Sequence, residues 1–211
     1  MKWKQIPLGP LQTNCYLVSD EDGSCLVVDP GAEPEKLISI IDRQGLKPVC
    51  ILLTHAHFDH IGAVDMVREK YDIPVHVHFK EADWLDDPAL NGSKYFMMQD
   101  AVKAKPAENL LGEEGEMTID SFTFSVFYTP GHSPGSVSFY FPEDQFVLAG
   151  DALFKGSIGR TDLPGGNHSQ LISSIHEKLL VLPEGTAVLP GHGPVTSIGD
   201  EMDTNPFLNG F

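Results

Sequence analysis

Apolar and polar positions alternate along this chain in a way that separates short strand-like runs from longer helix-like ones. Runs with period-two alternation, or short continuous apolar blocks, predict strands near 2–8, 14–19, 24–28, 49–53, 74–78, 117–128, 136–141, 145–149 and 186–189. Apolar positions three and four apart predict helices near 34–44, 62–71, 80–86 and 168–180. The first helix turns Leu37, Ile38, Ile40 and Ile41 towards the core and stops at Gly45, a residue suited to the left-handed position after a helix. Strands come first, helices intervene, and a second strand-rich block follows. That order fits a two-sheet layered α/β domain better than a doubly wound parallel sheet.

The polar residues that close these apolar runs carry the chemistry. Residues 54–60 read Thr-His-Ala-His-Phe-Asp-His, so His55, His57, Asp59 and His60 fall within six positions. They follow the buried run Val49 to Leu53 and precede the helix opening at Ile61-Gly62-Ala63-Val64. Three imidazoles and a carboxylate on one strand-to-helix loop suit borderline-soft divalent metals, zinc first, with iron or manganese accepting similar N/O ligands. The alternative, an ordinary polar loop, is weak against so dense a cluster of histidine. Three further candidates repeat one arrangement of apolar strand, tight turn and ligand: His132 after Phe122 to Tyr128, Asp151 after Phe146 to Ala149, and His192 after Ala187-Val188-Leu189. Strand ends in layered folds cluster on one edge, where such ligands can converge.

Seven candidates exceed the needs of one tetrahedral ion. The natural division is two divalent ions, with His55, His57 and His132 on the first, Asp59, His60 and His192 on the second, and Asp151 bridging. Two cations sharing a water lower its pKa towards about 7, and they also polarise a carbonyl. Asp59 is then placed to orient the resulting hydroxide or accept its proton. No Ser or Cys nucleophile sits within these motifs, so no covalent acyl intermediate is expected.

With these pieces in place the sequence resembles the metallo-β-lactamase-fold hydrolases, within them the glyoxalase II-like group, and most closely a short bacterial type. The matching motifs are Thr54-His55-Ala56-His57-Phe58-Asp59-His60, Thr129-Pro130-Gly131-His132-Ser133, Gly150-Asp151-Ala152-Leu153-Phe154 and Pro190-Gly191-His192-Gly193. The likeness runs from Thr13-Asn14-Cys15-Tyr16 to Asn205-Pro206-Phe207-Leu208. It implies an α/β protein, a four-layer αββα sandwich with the metals at one edge, and a thioesterase acting like a hydroxyacylglutathione hydrolase. It also implies that Phe154 and the loop to Asp162 wall the active site, with Arg160 contacting a carboxylate of the thiol carrier. Asp162 departs from the aromatic residue common there, and the alternative reading has Arg160 and Asp162 pair with each other and brace the loop. The helical extension that grips glutathione in longer relatives is missing after His192, which opens the substrate question to other thiol carriers, thioesters or esters. The alternative within the resemblance is a mono-iron persulfide dioxygenase, whose Gly-Arg-Thr-Asp stretch is similar to Gly159 to Asp162. A β-lactamase is disfavoured, because one class has Cys where Asp151 stands and export would require a signal peptide.

Composition narrows the partners. The 211 residues carry 14 basic and 30 acidic side chains, a formal charge of −16, and 41 % are hydrophobic. One domain spanning 1–211 is expected. Such acidity disfavours nucleic acid as a partner and leaves a small-molecule substrate. No apolar run approaches membrane-span length, and the N-terminal stretch lacks a signal peptide's apolar core, so no membrane association and a cytoplasmic location are expected. Cys15, Cys25 and Cys50 lie in apolar runs and are expected to be reduced core residues. His76 and His78 share one face of a strand and are read as packed or surface residues. His168 and His176 are read as surface residues, and Asp29 as a turn former.

Overall fold

Seven residues on either side of a Gly-Pro-Leu-Gln turn pair into the hairpin that opens the fold. Strands β1 (Lys2–Leu8) and β2 (Thr13–Ser19) run antiparallel, from Lys2 opposite Ser19 to Leu8 opposite Thr13. The computed structural model describes residues 1–96 and 101–209. These divide into two compact units, Met1–Gly112 with Ile119–Phe122, and Glu113–Thr118 with Thr123–Phe211.

In the first unit, β3 (Ser24–Val28), β4 (Lys47–Leu52), β5 (Val75–His78) and β6 (Asn109–Leu111) extend the hairpin into a six-stranded sheet of order β1-β2-β3-β4-β5-β6. The pairs from β3 to β6 are parallel and therefore need crossover segments. Helix α1 (Pro34–Gln44) makes the first crossover. Pro34 opens it, and Gly45 closes it at φ 67, donating to Asp42 and Ile41 carbonyls as expected. Leu37 and Ile41 are fully buried, whereas Ile38 and Ile40 pack at the core's margin. The second crossover differs from the single helix expected over 62–71. It begins earlier, as α2 (Phe58–Ile61), breaks at Gly62-Ala63 and resumes as α3 (Val64–Tyr71). At the break Ala63 N donates to the Pro30 carbonyl at 2.9 Å, outside the helix, and Gly62 permits the close approach, since a Cβ there would lie 2.4 Å from the Gly31 carbonyl oxygen. Asp59 and His60 consequently stand on a helical turn and not on a loop. The expected helix over 80–86 is a 3₁₀ segment, Phe79–Leu85, followed later by the single turn α4 (Ser93–Phe96).

The second unit has a sheet of order β14-β13-β10-β9-β8-β7. Its strands are β7 (Gly115–Ile119), β8 (Phe122–Tyr128), β9 (Val137–Phe141), β10 (Phe146–Gly150), β13 (Ala187–Pro190) and β14 (Thr196–Ser197). The single strand expected over 117–128 is thus two, divided at Asp120-Ser121, where Asp120 adopts φ 52. A two-residue turn preserves the alternation on both sides, which hides it in the sequence. Phe124, Phe139, Phe141 and Phe146 fill the sheet's core, with ring centroids 4.5–5.7 Å apart. The other face packs Val147 and Val188 on Leu171, Ile175 and Leu179. These last residues lie on α5 (His168–Ser174) and on a π-helical turn, Ile175–Leu179, that together replace the uniform helix expected over 168–180. Between β10 and α5 the small hairpin β11 (Leu153–Phe154) and β12 (Ser157–Ile158) projects, and α6 (Ile198–Thr204) follows β14.

Candidate metal centre

The buried strand β4 delivers its last residues to a carboxylate waiting at the end of β3. Asp29, 2 % exposed, accepts hydrogen bonds from Thr54 N at 2.8 Å, Thr54 Oγ1 at 2.6 Å and His60 Nδ1 at 3.0 Å. Holding Nδ1–H on a carboxylate fixes the His60 tautomer and turns Nε2 towards the centre as an electron-pair donor. Thr54 Oγ1 lies 3.1 Å from His55 Nδ1 and does similar work there. Glu81, fully buried, accepts from Ala56 N at 2.6 Å and pins the backbone between His55 and His57. Thr13 Oγ1 donates to Asp59 Oδ2 at 2.8 Å. The three imidazoles crowd together, with His55 ring centroids 4.8 Å from His57 and 4.0 Å from His60. His57 also packs on Trp84 at 5.4 Å.

In the second unit Asp151 sits between two histidines. Its Oδ2 is 3.5 Å from His132 Nε2 and 3.5 Å from His192 Nε2. His132 donates from Nδ1 to the Arg160 carbonyl at 2.8 Å, so its Nε2 also faces inward. Gly159 permits this loop to close: a Cβ there would fall 1.8 Å from the Asp151 carbonyl oxygen and 3.2 Å from His132 Cβ. Phe154, half-buried on β11, sets its ring edge-on to His192 at 6.2 Å. Arg160 and Asp162, both exposed, form a two-pronged pair at 2.8 Å and 2.8 Å. The guanidinium lowers the Asp162 carboxyl to about 2.

Three groups of donors have their ligand atoms within 4.8 Å of one another: His55, His57 and His132; His55, His60 and Asp151; Asp59, His60 and His192. All seven expected ligands appear in them, and Asp151 groups with one histidine from each of the other two sets. The separations suit a shared cation. Ligands on one tetrahedral ion with bonds of about 2.0–2.1 Å stand about 3.3 Å apart. The Asp151 contacts at 3.5 Å, and the His60 Nε2 to Asp59 Oδ2 distance of 3.7 Å, are near that edge length and long for hydrogen bonds. Imidazole nitrogens with a few carboxylate oxygens fit first-row divalent ions such as zinc or iron, and the chain can hold them here.

A family model described as the metallo-beta-lactamase superfamily matches residues 8–192. The chain belongs to that superfamily. Its α/β architecture is accordingly the metallo-β-lactamase fold. A Bacillus subtilis (strain 168) protein called "Probable metallo-hydrolase YqgX" is 55 % identical over 211 residues, covering 100 % of this chain and 99 % of its own. A Haemophilus influenzae (strain ATCC 51907 / DSM 11121 / KW20 / Rd) protein called "Hydroxyacylglutathione hydrolase GloC" is 36 % identical over 205 residues, covering 97 % and 96 %. Among solved structures, the BLEG-1 B3 metallo-beta-lactamase superposes with TM-score 0.97 at 57 % identity, covering 99 % and 100 %. TTHA1623 in a di-iron-bound form superposes with TM-score 0.86 at 44 % identity, covering 97 % and 100 %.

Several supporting residues were not legible in advance. Asp29 occupies a turn at φ 50, as expected, but its carboxylate also holds His60. Glu81 gave no signal, since one acidic residue in a polar stretch looks solvated. His76 and His78 are buried on β5 and stand outside the three donor groups. His76 Nε2 lies 3.3 Å from Asn109 Nδ2, and His78 Nδ1 accepts from Lys80 N at 3.4 Å. His168 and His176 are exposed, as expected. The three cysteines are buried free thiols, and burial raises Cys25 and Cys50 to about 12.

Proposed function

We propose that this chain is a dinuclear metal-dependent hydrolase that cleaves a thioester of a small thiol. The carrying observation is the sorting of seven donors into groups that share Asp151's neighbours. His55, His57 and His132 would hold one ion, Asp59, His60 and His192 the other, and Asp151 both. Two such cations, when bound, would acidify a shared water towards a pKa of about 7 and polarise the carbonyl under attack.

The chain's own residues do the rest. Asp29 and the Arg160 carbonyl keep His60 and His132 in the tautomer that presents Nε2. Asp59, steadied by Thr13, orients the attacking water and takes its proton. Phe154 flanks His192 and forms an apolar wall for the substrate. Arg160 binds the carrier's carboxylate by exchanging Asp162 for it, and an exposed ion pair of this kind is held weakly enough to exchange. Both units act as one domain in the cytoplasm, on a small molecule and without nucleic acid.

The relative named as a hydroxyacylglutathione hydrolase supports the thioester reading. The superposition on a B3 metallo-beta-lactamase at 57 % identity favours a second one, opening of a β-lactam amide by the same residues. Although the sequence alone disfavours that activity, the identity is high enough to require its test. The deciding experiment is to load the protein with zinc or iron and assay S-lactoylglutathione, a neutral thioester, a penicillin and glutathione persulfide with an oxygen electrode. Thioester cleavage without oxygen uptake is expected. Oxygen uptake on the persulfide by an iron-loaded, single-metal form would replace this reading with the dioxygenase, and faster turnover of the penicillin would replace it with the lactamase.

A further inference from the structure

Beside Asp59 the first unit encloses a cavity of about 220 Å³. Leu8, Pro10, Leu11, Ala32, Phe58 and Val102 supply its apolar lining, and Thr13, Glu33 and Asp59 its polar side chains. Those polar groups are engaged. Thr13 Oγ1 donates to Asp59 at 2.8 Å, while Glu33 accepts from Gly9 N at 2.8 Å and from Lys36 Nζ at 3.0 Å. The walls are also fixed in advance. The Gly9 to Gln12 turn is closed by Gln12 N and Nε2 donating to the Gly9 carbonyl at 3.2 and 2.6 Å, and Glu33 ties it to the start of α1. Phe58 stacks on Phe96 at 5.8 Å. Leu11, 51 % exposed, carries the apolar surface from the cavity to solvent.

We propose that this cavity is the acyl subsite, taking the apolar group bonded to the carbon under attack, so that the preferred substrates are thioesters of apolar acyl groups. The proposal rests on the hydrolase reading above. Asp59 belongs both to the cavity and to the reacting end of the site, so a group attached to the attacked carbon reaches the cavity. The acyl and thiol sides both start one bond from that carbon, but the carrier's polar chain is assigned to Arg160, which leaves the apolar cavity to the acyl group. A dry cavity of about 150 Å³ accepts a benzene ring, so this one accommodates a phenyl group or a chain of roughly four to seven carbons. A hydroxyacyl group would lose its hydrogen bonds to water against these walls, which disfavours short polar acids such as lactate.

The test uses the metal-loaded protein with acetyl, butanoyl, hexanoyl and lactoyl thioesters of N-acetylcysteamine. Burial of each methylene should raise kcat/KM about fourfold until the cavity is full, mainly through KM. Ala32→Met, which fills the cavity, should flatten that slope, with the hexanoyl ester losing about tenfold more than the acetyl ester. A readout independent of turnover comes from the metal-free protein titrated with hexanamide and with acetamide. Amide resonances of Leu11, Ala32 and Gly62 should shift with hexanamide alone. A flat chain-length dependence, with the acetyl ester still cleaved, overturns the acyl subsite and leaves the hydrolase reading standing. No cleavage of any thioester, with the hexanamide shifts present, overturns the hydrolase reading and leaves an apolar ligand site. Absence of the shifts overturns the cavity as a binding site.

Discussion

Asp29 satisfies three donors with one buried carboxylate, and all three belong to the segment 54–60 that carries the histidines. Asp29→Ala would leave Thr54 N–H without its acceptor, which costs about 1–3 kcal/mol for a buried group. It would also free His60 to rotate or change tautomer, and loss of such a support typically lowers metal affinity ten- to a hundredfold. Urea unfolding of the metal-free variant and a competitive zinc titration check the two effects separately. Asp29→Asn should retain most of the stability, because its carbonyl oxygen still accepts from Thr54 N, and yet lose metal affinity, because its NH₂ cannot accept from His60 Nδ1. Equal zinc affinity in wild type and both variants would refute the role given to Asp29. A second effect at this scale concerns pH. Burial pushes His78 down from 6.5 to about 4, and His76 moves the same way. A folded-state pKa below the unfolded value means that the unfolded chain binds more protons between those limits. Stability is then intact above about pH 6.5 and falls as pH drops towards 4. Melting of the metal-free protein from pH 7 to pH 4.5 should show this loss, and His78→Gln should reduce it.

At the scale of elements, α6 acts as a strut for the hairpin that bears Phe154. Glu201, 1 % exposed, accepts from Gly156 N at 2.8 Å, Thr196 Oγ1 at 2.6 Å and Asn205 Nδ2 at 2.7 Å, and Asn205 also donates to the Ser157 carbonyl at 3.0 Å. Glu201→Ala should therefore destabilise the protein by about 2–4 kcal/mol, since two buried donors and one part-buried donor lose their shared acceptor. Glu201→Gln should recover most of this, its carbonyl taking the two donors on Oε2 and its amide meeting a rotated Thr196 hydroxyl. Denaturant melts of both variants measure the difference, and equal losses would show that charge, not hydrogen-bond capacity, is what the strut needs. This element also marks where the sequence stops being informative. Helix α1 was legible to the residue, because Pro34, Gly45 and the spacing of Leu37 and Ile41 agree with one another. The ligand motifs were legible because metal chemistry restricts residue type and each ligand ends a strand. α6 reads Ile-Gly-Asp-Glu-Met-Asp-Thr and has no apolar periodicity, and β11, β12 and β14 are two residues each, too short for any period to register. Their placement comes from tertiary hydrogen bonds such as those of Glu201. The break at Gly62-Ala63 has the same origin, since Ala63 N donates to Pro30 and Gly62 packs on Gly31, both about thirty residues away in the chain.

On the scale of the whole molecule, the metal load is the property that separates the functional readings. The chain carries 14 basic and 30 acidic side chains, hence −16 (14 − 30), and two divalent ions would reduce this to −12 (−16 + 4). An ion bound by the native state and not by the unfolded chain stabilises it by about 2.7 kcal/mol at a free concentration one hundred times its Kd. For a chain of this length each kcal/mol raises Tm by roughly 2–4 °C. Removing two ions with a chelator should therefore lower Tm by roughly 10–20 °C, and zinc should restore it in two steps. Elemental analysis of the fully loaded protein should give close to two ions per chain. His57→Ala should lose mainly the ion assigned to His55 and His132, and His192→Ala mainly the one assigned to Asp59 and His60, each variant retaining close to one. Because Asp151 is assigned to both, Asp151→Ala should fall below either histidine variant in metal content and in Tm. One ion in wild type, unaffected by His192→Ala, would remove the dinuclear model and with it the water shared between two cations. Iron as that single ion, together with oxygen uptake on a persulfide, would then move the same seven residues to oxidative chemistry, with His55, His132 and Asp151 as its ligands and His57, Asp59, His60 and His192 left as hydrogen-bonding groups around a mononuclear site.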